Sequence, residues 1–284
     1  MNVWLADSCK TNLFHVIDGL RPDRAPLLLS YHYFKQWDIP QLFEGCDPIP
    51  RVFLDSGAFS AATQGARIDL AEYAEYVQRN IDHIELYASL DCIGNAQRTQ
   101  ANQEFLERRG LKPLPTFHAG EEWSVFEQMV SQYDYIALGG IAIKRTQRFA
   151  PWIRRCFELA GDTRLHGFGV SNWFLLRAFR WYSVDHTSWG QGFRFGTVPV
   201  FDARRGQFIK IDLRDREAAW KDSRLLYEYG FSPNDAALWT KAKRPSLCKV
   251  AALSWMRAAQ WLTGWHEQND SESHATKEVT VCQN

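Results

Sequence analysis

The 284-residue sequence has no charge-free apolar stretch near the roughly 20 residues that span a bilayer, and its N-terminus, MNVWLADSCK, lacks the basic and apolar regions of a secretory leader. The expectation is a soluble, cytoplasmic protein without a membrane partner. Also missing is any CxxC, CxC or Cys/His cluster at metal-ligand spacing: Cys9, Cys46, Cys92, Cys156, Cys248 and Cys282 are scattered. Neither a disulfide framework nor a structural zinc site is signalled, and no metal or other cofactor is expected. Net charge is absent too, with 33 Lys/Arg against 33 Asp/Glu, yet the charges are unevenly placed. Residues 1–142 hold 11 basic and 19 acidic side chains, residues 143–216 hold 14 and 6, and the remainder 8 and 8. The basic middle block would attract a polyanion if its charges share a face, although solvated helix faces carry such runs as well.

What is present is a repeated alternation. Eight short apolar runs, Val3–Leu5, Pro26–Leu29, Val52–Leu54, Ile84–Leu90, Leu114–Phe117, Tyr135–Leu138, Leu165–Phe168 and Tyr182–Val184, have the composition of strands. Between most of them lie segments with helical spacing, such as DLAEYAEYVQRNI from Asp69, AQRTQANQEFLERRG from Ala96, WSVFEQMVSQY from Trp123 and QRFAPWIRRCFELAG from Gln147. Asp69 is placed to cap the first, and Gly110 and Gly161 stand where helices should end. The second unit is the weakest, since Pro40 interrupts any long helix. Eight strand-helix units predict an α/β fold, a (β/α)8 TIM-type barrel, with a doubly wound open sheet as the alternative. Beyond the eighth strand, RFGTVPVFDARRGQFIKIDL alternates around Arg205-Gly206 and predicts a β-hairpin, followed by helices from about Arg216 to Tyr229 and Ser246 to Thr263. The expected organisation is one barrel domain with a helical extension over residues 1–266, and a disordered polar tail over 267–284.

In a parallel barrel, residues just past the strand C-termini converge on one mouth. Here those positions hold Asp55, Asp91, His118, Gly139-Gly140, His166 and Asp185-His186. Each alone has a bland reading: an Asx turn or cap for an aspartate, a satisfied core group for a histidine, a tight turn for the glycines. Packing does not explain why polar groups recur at the same end of successive strands, whereas a binding site requires it.

The segments LDSGAFS, LDCIGN and GGIA, with LHGFGVSNWFLLRAFRWYSVDHTSW after them, resemble in order and spacing the motifs of the tRNA-guanine transglycosylase superfamily over about residues 50 to 190. The resemblance implies that Asp185 is the nucleophile, Asp55 the general acid/base and Asp91 the group that reads a guanine-like base. It implies that Gly139, Gly140 and Ile141 line the base site, with Gly140 and Ile141 presenting backbone groups, and that Ser56, Gly57 and Ala58 are small so that a planar base can pass. His118 and His166 stand where the family has glutamine and methionine, and both are pocket candidates. The cysteines and histidine of the family's C-terminal zinc subdomain have no counterpart after Asp185, and HTSWGQGFRFG replaces its Pro-Thr-Arg segment. These departures point to the branch, found in phages and bacterial genomic islands, that places 7-deazaguanines in DNA.

The expected activity is therefore a DNA-guanine transglycosylase that exchanges guanine for a 7-deazaguanine, with DNA and the free base as partners and with accessory DNA-opening proteins left open. Arg177, Arg180, Arg194, Arg204, Arg205 and Lys210 would contact phosphates. Trp189 would stack on a flipped base or on the gap it leaves, while Trp181 and Phe193 suit core packing at least as well. Three other readings stay open: a tRNA transglycosylase with an atypical C-terminal region, a non-catalytic barrel that binds nucleic acid or a nucleobase, and a glycoside hydrolase of another kind, against which the DSGAFS and GGIA pair argues for a base rather than a sugar.

Overall fold

A computed structural model describes residues 1–21, 24–141, 146–190, 196–236 and 244–281. Eight parallel strands, β1 (Asn2–Ala6), β2 (Pro26–Ser30), β3 (Arg51–Asp55), β4 (Leu86–Tyr87), β5 (Thr116–His118), β6 (Tyr135–Gly139), β7 (Arg164–Gly167) and β8 (Ser183–His186), form one curled sheet in the order β4-β3-β2-β1-β8-β7-β6-β5. The first strand pairs with the last, from Asn2↔Ser183 to Leu5↔His186. At the two sheet edges a single parallel bridge, Ala88↔Leu114, joins the ends of β4 and β5, supported by hydrogen bonds from Ser89 N–H to Leu114 O (3.1 Å) and Leu114 N–H to Tyr87 O (2.8 Å). The expected TIM-like α/β architecture is present, and its thinnest seam is β4–β5.

Strand alternation separates two cores. Trp4, Ala6, Leu28, Phe53, Ala88, Leu114 and Ala137 form a small cluster inside the barrel. Their strand neighbours, among them Val3, Leu5, Leu27, Leu29, Val52 and Leu54, belong to the larger core under the helices. Helices form where the sequence provides both an apolar face and a cap. In Leu70–Arg79, Asp69 accepts from Ala71 N–H and Glu72 N–H, while Tyr73, Ala74, Tyr76 and Val77 are buried. In Ala96–Arg108, Asn95 accepts from Arg98 N–H. Around Pro40 the chain makes only the short helices Tyr31–Phe34 and Ile39–Leu42, as a proline one residue inside a helix start allows.

The hairpin is β9 (Thr197–Asp202) and β10 (Gln207–Asp212), turning at residues 203–206. Two differences from the sequence reading follow it. The expected Arg216–Tyr229 helix is two helices, Arg216–Lys221 and Ser223–Glu228, parted at Asp222. The last helix runs Arg244–Val281, well past Thr263, because nothing after Gly264 stops it: the sequence there has no proline and no further glycine. That helix packs on the barrel's outer face, with Leu247, Val250, Ala251, Ala258 and Leu262 buried. Thr263 Oγ1 accepts from the amino group of Met1 at 2.8 Å.

Candidate active site

Five of the expected site residues converge at the C-terminal ends of the strands. β8 turns Ser183 and Asp185 inward and Val184 and His186 outward, by its period of two. Asp185 is 7% exposed. Its Oδ1 accepts from His166 Nε2 (3.2 Å) and from Gly169 N–H (3.0 Å), so one oxygen is held by two donors from β7 and its following turn. His166 is fully buried, flanked edge-on by Phe53 and Phe168. Its other nitrogen, Nδ1, lies 2.5 Å from Ser183 Oγ, which in turn lies 2.6 Å from Tyr135 OH.

Asp55 closes β3, and its Oδ2 accepts from Gly57 N–H at 3.0 Å. Burial, and after it the charges of Asp185 and Asp91, push this carboxyl up to about 7, against the hydrogen bonds from Gly57 and Ser56. It therefore shares a field with both other aspartates and is divided between acid and base near neutral pH.

Asp91, in the turn after β4, pairs with His118 on β5: Oδ2 to Nε2 is 3.2 Å. The opposite ring nitrogen faces Glu121 Oε1 at 3.3 Å, and Glu121 Oε2 accepts from the His118 N–H at 3.0 Å. Burial opposes the charge on His118, but hydrogen bonds to Asp91 and Glu121, reinforced by their charges, push it up to about 10. His118 is thus an imidazolium across the physiological range, clamped between two carboxylates. Asp91 Oδ1 is buried with no hydrogen-bond partner among the described residues, so half of its accepting capacity is unspent there.

The glycines have local reasons to be glycine. A Cβ on Gly139 would lie 2.7 Å from His118 Cδ2, and Gly140 has φ +75. Gly57 has φ +77, and a Cβ there would meet Ser30 Oγ and stand 2.6 Å from His32 Cβ. Passage of a base is therefore not needed to explain Gly57: it packs against the end of β2. Ser56 is buried beside it, and the Ile141 side chain is buried in the outer core.

Other expectations are corrected. Trp189 is fully buried and its indole N–H donates to Ala6 O at 2.9 Å, so it offers no face to a base. His186 points outward onto Trp255, ring centroids 3.9 Å apart, and burial pushes it down to about 4 against the opposing charge of Asp185. Arg180 acts on the charge of the Met1 amino group, which is at the start of β1 and hence at the barrel end opposite the site. Arg177 lies over the Trp265 and Trp261 rings, 4.3 and 5.8 Å away. Arg204 and Arg205 stay exposed on the hairpin turn, near Glu228 (3.6 Å) and Asp202 (3.5 Å), and Lys210 is exposed on β10. Arg177 and the hairpin turn with Arg204 and Arg205 thus lie by Trp261, and Arg180 by the N-terminus, away from the mouth. Arg194 and Phe193 lie outside the described residues, and Trp181 is buried as its packing reading expects.

Sequence reasoning missed Glu121, Ser183, Tyr135 and Phe59. Glu121 had a signal, three residues after His118. Ser183 had one too, two residues before Asp185 and so on the same strand face. Phe59 lies inside the LDSGAFS segment itself and is 65% exposed on the helix Ala58–Thr63 that follows Asp55. Tyr135 carries no signal beyond its strand. Among the described residues, no group of three or more His, Cys, Asp or Glu is arranged to hold a metal ion, and no helix is long and apolar enough to cross a membrane. Compared with known proteins, the chain matches no family model and is significantly similar to no curated protein.

Proposed function

We propose that the protein is a DNA-guanine transglycosylase that exchanges guanine for a 7-deazaguanine, 7-cyano-7-deazaguanine or a close relative, through a covalent aspartyl intermediate. The observation that carries this reading is the division of labour among carboxylates at one barrel mouth. Asp185 has one oxygen fixed by two donors and the other left to react, while Asp55 is poised near neutrality in the same field. Paired carboxyl groups in different environments suit glycosidic bond cleavage. As the bond from C1′ to the base breaks, its electrons leave with the base and Asp55 supplies a proton. Asp185 Oδ2 bonds to C1′ and holds the strand as an ester. The incoming base then attacks C1′, gives up a proton to Asp55 and releases Asp185.

Asp91 supports recognition of a guanine-like edge, which presents N–H donors to an acceptor. The imidazolium of His118 holds its Oδ2 in place, and Oδ1 has no partner among the described residues. Phe59 offers an exposed aromatic face on the helix that follows Asp55. The choice of DNA rests on the sequence departures from the tRNA enzymes. Incubation with guanine-labelled DNA or tRNA and the free deazaguanine tests the reading: label release from DNA is expected. Release from tRNA alone moves the assignment to tRNA, and release from neither overturns it.

A further inference from the structure

Below Asp185, three side chains from three strands form a hydrogen-bonded line, buried at His166 and Ser183 and half-buried at Tyr135, toward the opposite end of the barrel: Asp185 to His166 (3.2 Å), His166 to Ser183 (2.5 Å) and Ser183 to Tyr135 (2.6 Å). The barrel register puts them there. His166 is paired with Ser183 across β7–β8, and Ala137, two residues on from Tyr135, is paired with His166 across β6–β7. His166 is 0% and Ser183 1% exposed, so no bulk water completes their hydrogen bonds, and none of their polar atoms lacks a partner.

The proton positions follow from what each atom faces. Nε2 of His166 looks at a carboxylate oxygen, which only accepts, so Nε2 must carry a hydrogen. In a neutral ring Nδ1 then accepts, and the donor against it is the Ser183 hydroxyl. Having spent its hydrogen, Ser183 Oγ accepts from the Tyr135 hydroxyl. With a neutral ring every donor and acceptor in the line is satisfied this way; a doubly protonated ring would instead donate from Nδ1 to Ser183 Oγ, and Ser183 would donate to the Tyr135 oxygen.

We propose that Ser183 and Tyr135 are positioning residues that act through His166: they fix the imidazole with its proton on Nε2, and that proton pins Asp185 Oδ1 so that Oδ2 faces the reacting carbon. The inference rests on the transglycosylase reading for the use made of Asp185, but the tautomer and its dependence on Ser183 do not. Neither residue touches the substrate. Loss of the line leaves the base site intact and lets the nucleophile turn, and misplacement of a reacting group by about 1 Å costs on the order of 100-fold in rate.

Long-range proton–nitrogen correlation spectra of the full chain with labelled histidine, assigned through His166→Gln, read the ring directly. Expected are a protonated Nε2 and a bare, hydrogen-bond-accepting Nδ1. The Nδ1 resonance should move in Ser183→Ala and return in Ser183→Thr. A protonated Nδ1 in the wild type, or unchanged resonances in Ser183→Ala, overturns the proposal. Tyr135→Phe, which keeps the ring packing, should slow formation of the covalent protein–DNA adduct by about 10-fold or more with the KM for the free base unchanged. An unslowed adduct in that variant overturns the positioning role while leaving the transglycosylase reading standing. The expected ring resonances in a wild type that forms no adduct support the line and remove the transglycosylase reading instead.

Discussion

Asp55 and His118 make the site's pH behaviour specific enough to test residue by residue. The folded-state pKa of Asp55 is raised to about 7, so the folded protein holds a proton that the unfolded chain has lost. Its contribution to stability falls as pH rises from about 4 to about 7. His118 is raised to about 10, so its contribution is complete below about 6.5 and is lost as pH rises to about 10. His186, lowered to about 4, acts the other way: its contribution is present above about 6.5 and is lost as pH falls to about 4. Asp55 and His186 therefore oppose each other in acid, and the visible trend is a fall in stability from pH 6.5 to 10. His118→Gln should flatten that fall in urea midpoints measured across the range; a slope equal to that of the wild type contradicts the clamp between Asp91 and Glu121. Asp55→Asn should raise stability at pH 8, by at most a few kcal/mol, while abolishing base exchange. Asp91→Asn should instead change which base is accepted, and full retention of guanine preference in that variant removes its base-reading role.

Among the elements, the strands were the most legible part. Their apolar runs are short, regularly spaced and followed by polar residues, and all eight form where the runs lie. Asp69, Gly110 and Gly161 mark helix ends through capping and positive φ, both of which are local effects. Long-range packing was not legible. Trp189 stands before a glycine and reads as a loop aromatic, yet the end of β8 tucks it beneath Ala6, nearly 200 residues away in sequence. The basic block misleads for the same reason: sequence proximity puts Arg177 and Arg180 beside Asp185, whereas the helix Trp173–Ala178 holds Arg177 and the stretch after it brings Arg180 to the N-terminus, at the far end of the barrel. Gly57 tests an element boundary. Gly57→Ala forces a left-handed backbone and crowds Ser30 and His32, and should cost about 1–3 kcal/mol in chemical denaturation. If the loss is in base binding with stability unchanged, the glycine serves the ligand and not the β2–β3 junction.

At the scale of the whole molecule, the last helix ties the chain together. It buries Leu247 to Leu262 against the outer face of the barrel and its Thr263 receives the N-terminus. Truncation after His266 should leave the melting temperature within a few degrees, whereas truncation before Arg244 should prevent cooperative unfolding by exposing that face. At the barrel mouth, the role proposed for Asp185 is to bond C1′ of a nucleotide. Intact-mass measurement of the denatured protein after incubation with guanine-containing DNA tests it most directly. The account predicts a protein–DNA ester that the wild type forms, that Asp185→Asn does not form, and that added 7-deazaguanine discharges; an adduct of equal yield in Asp185→Asn, or none in the wild type on DNA or tRNA, contradicts it.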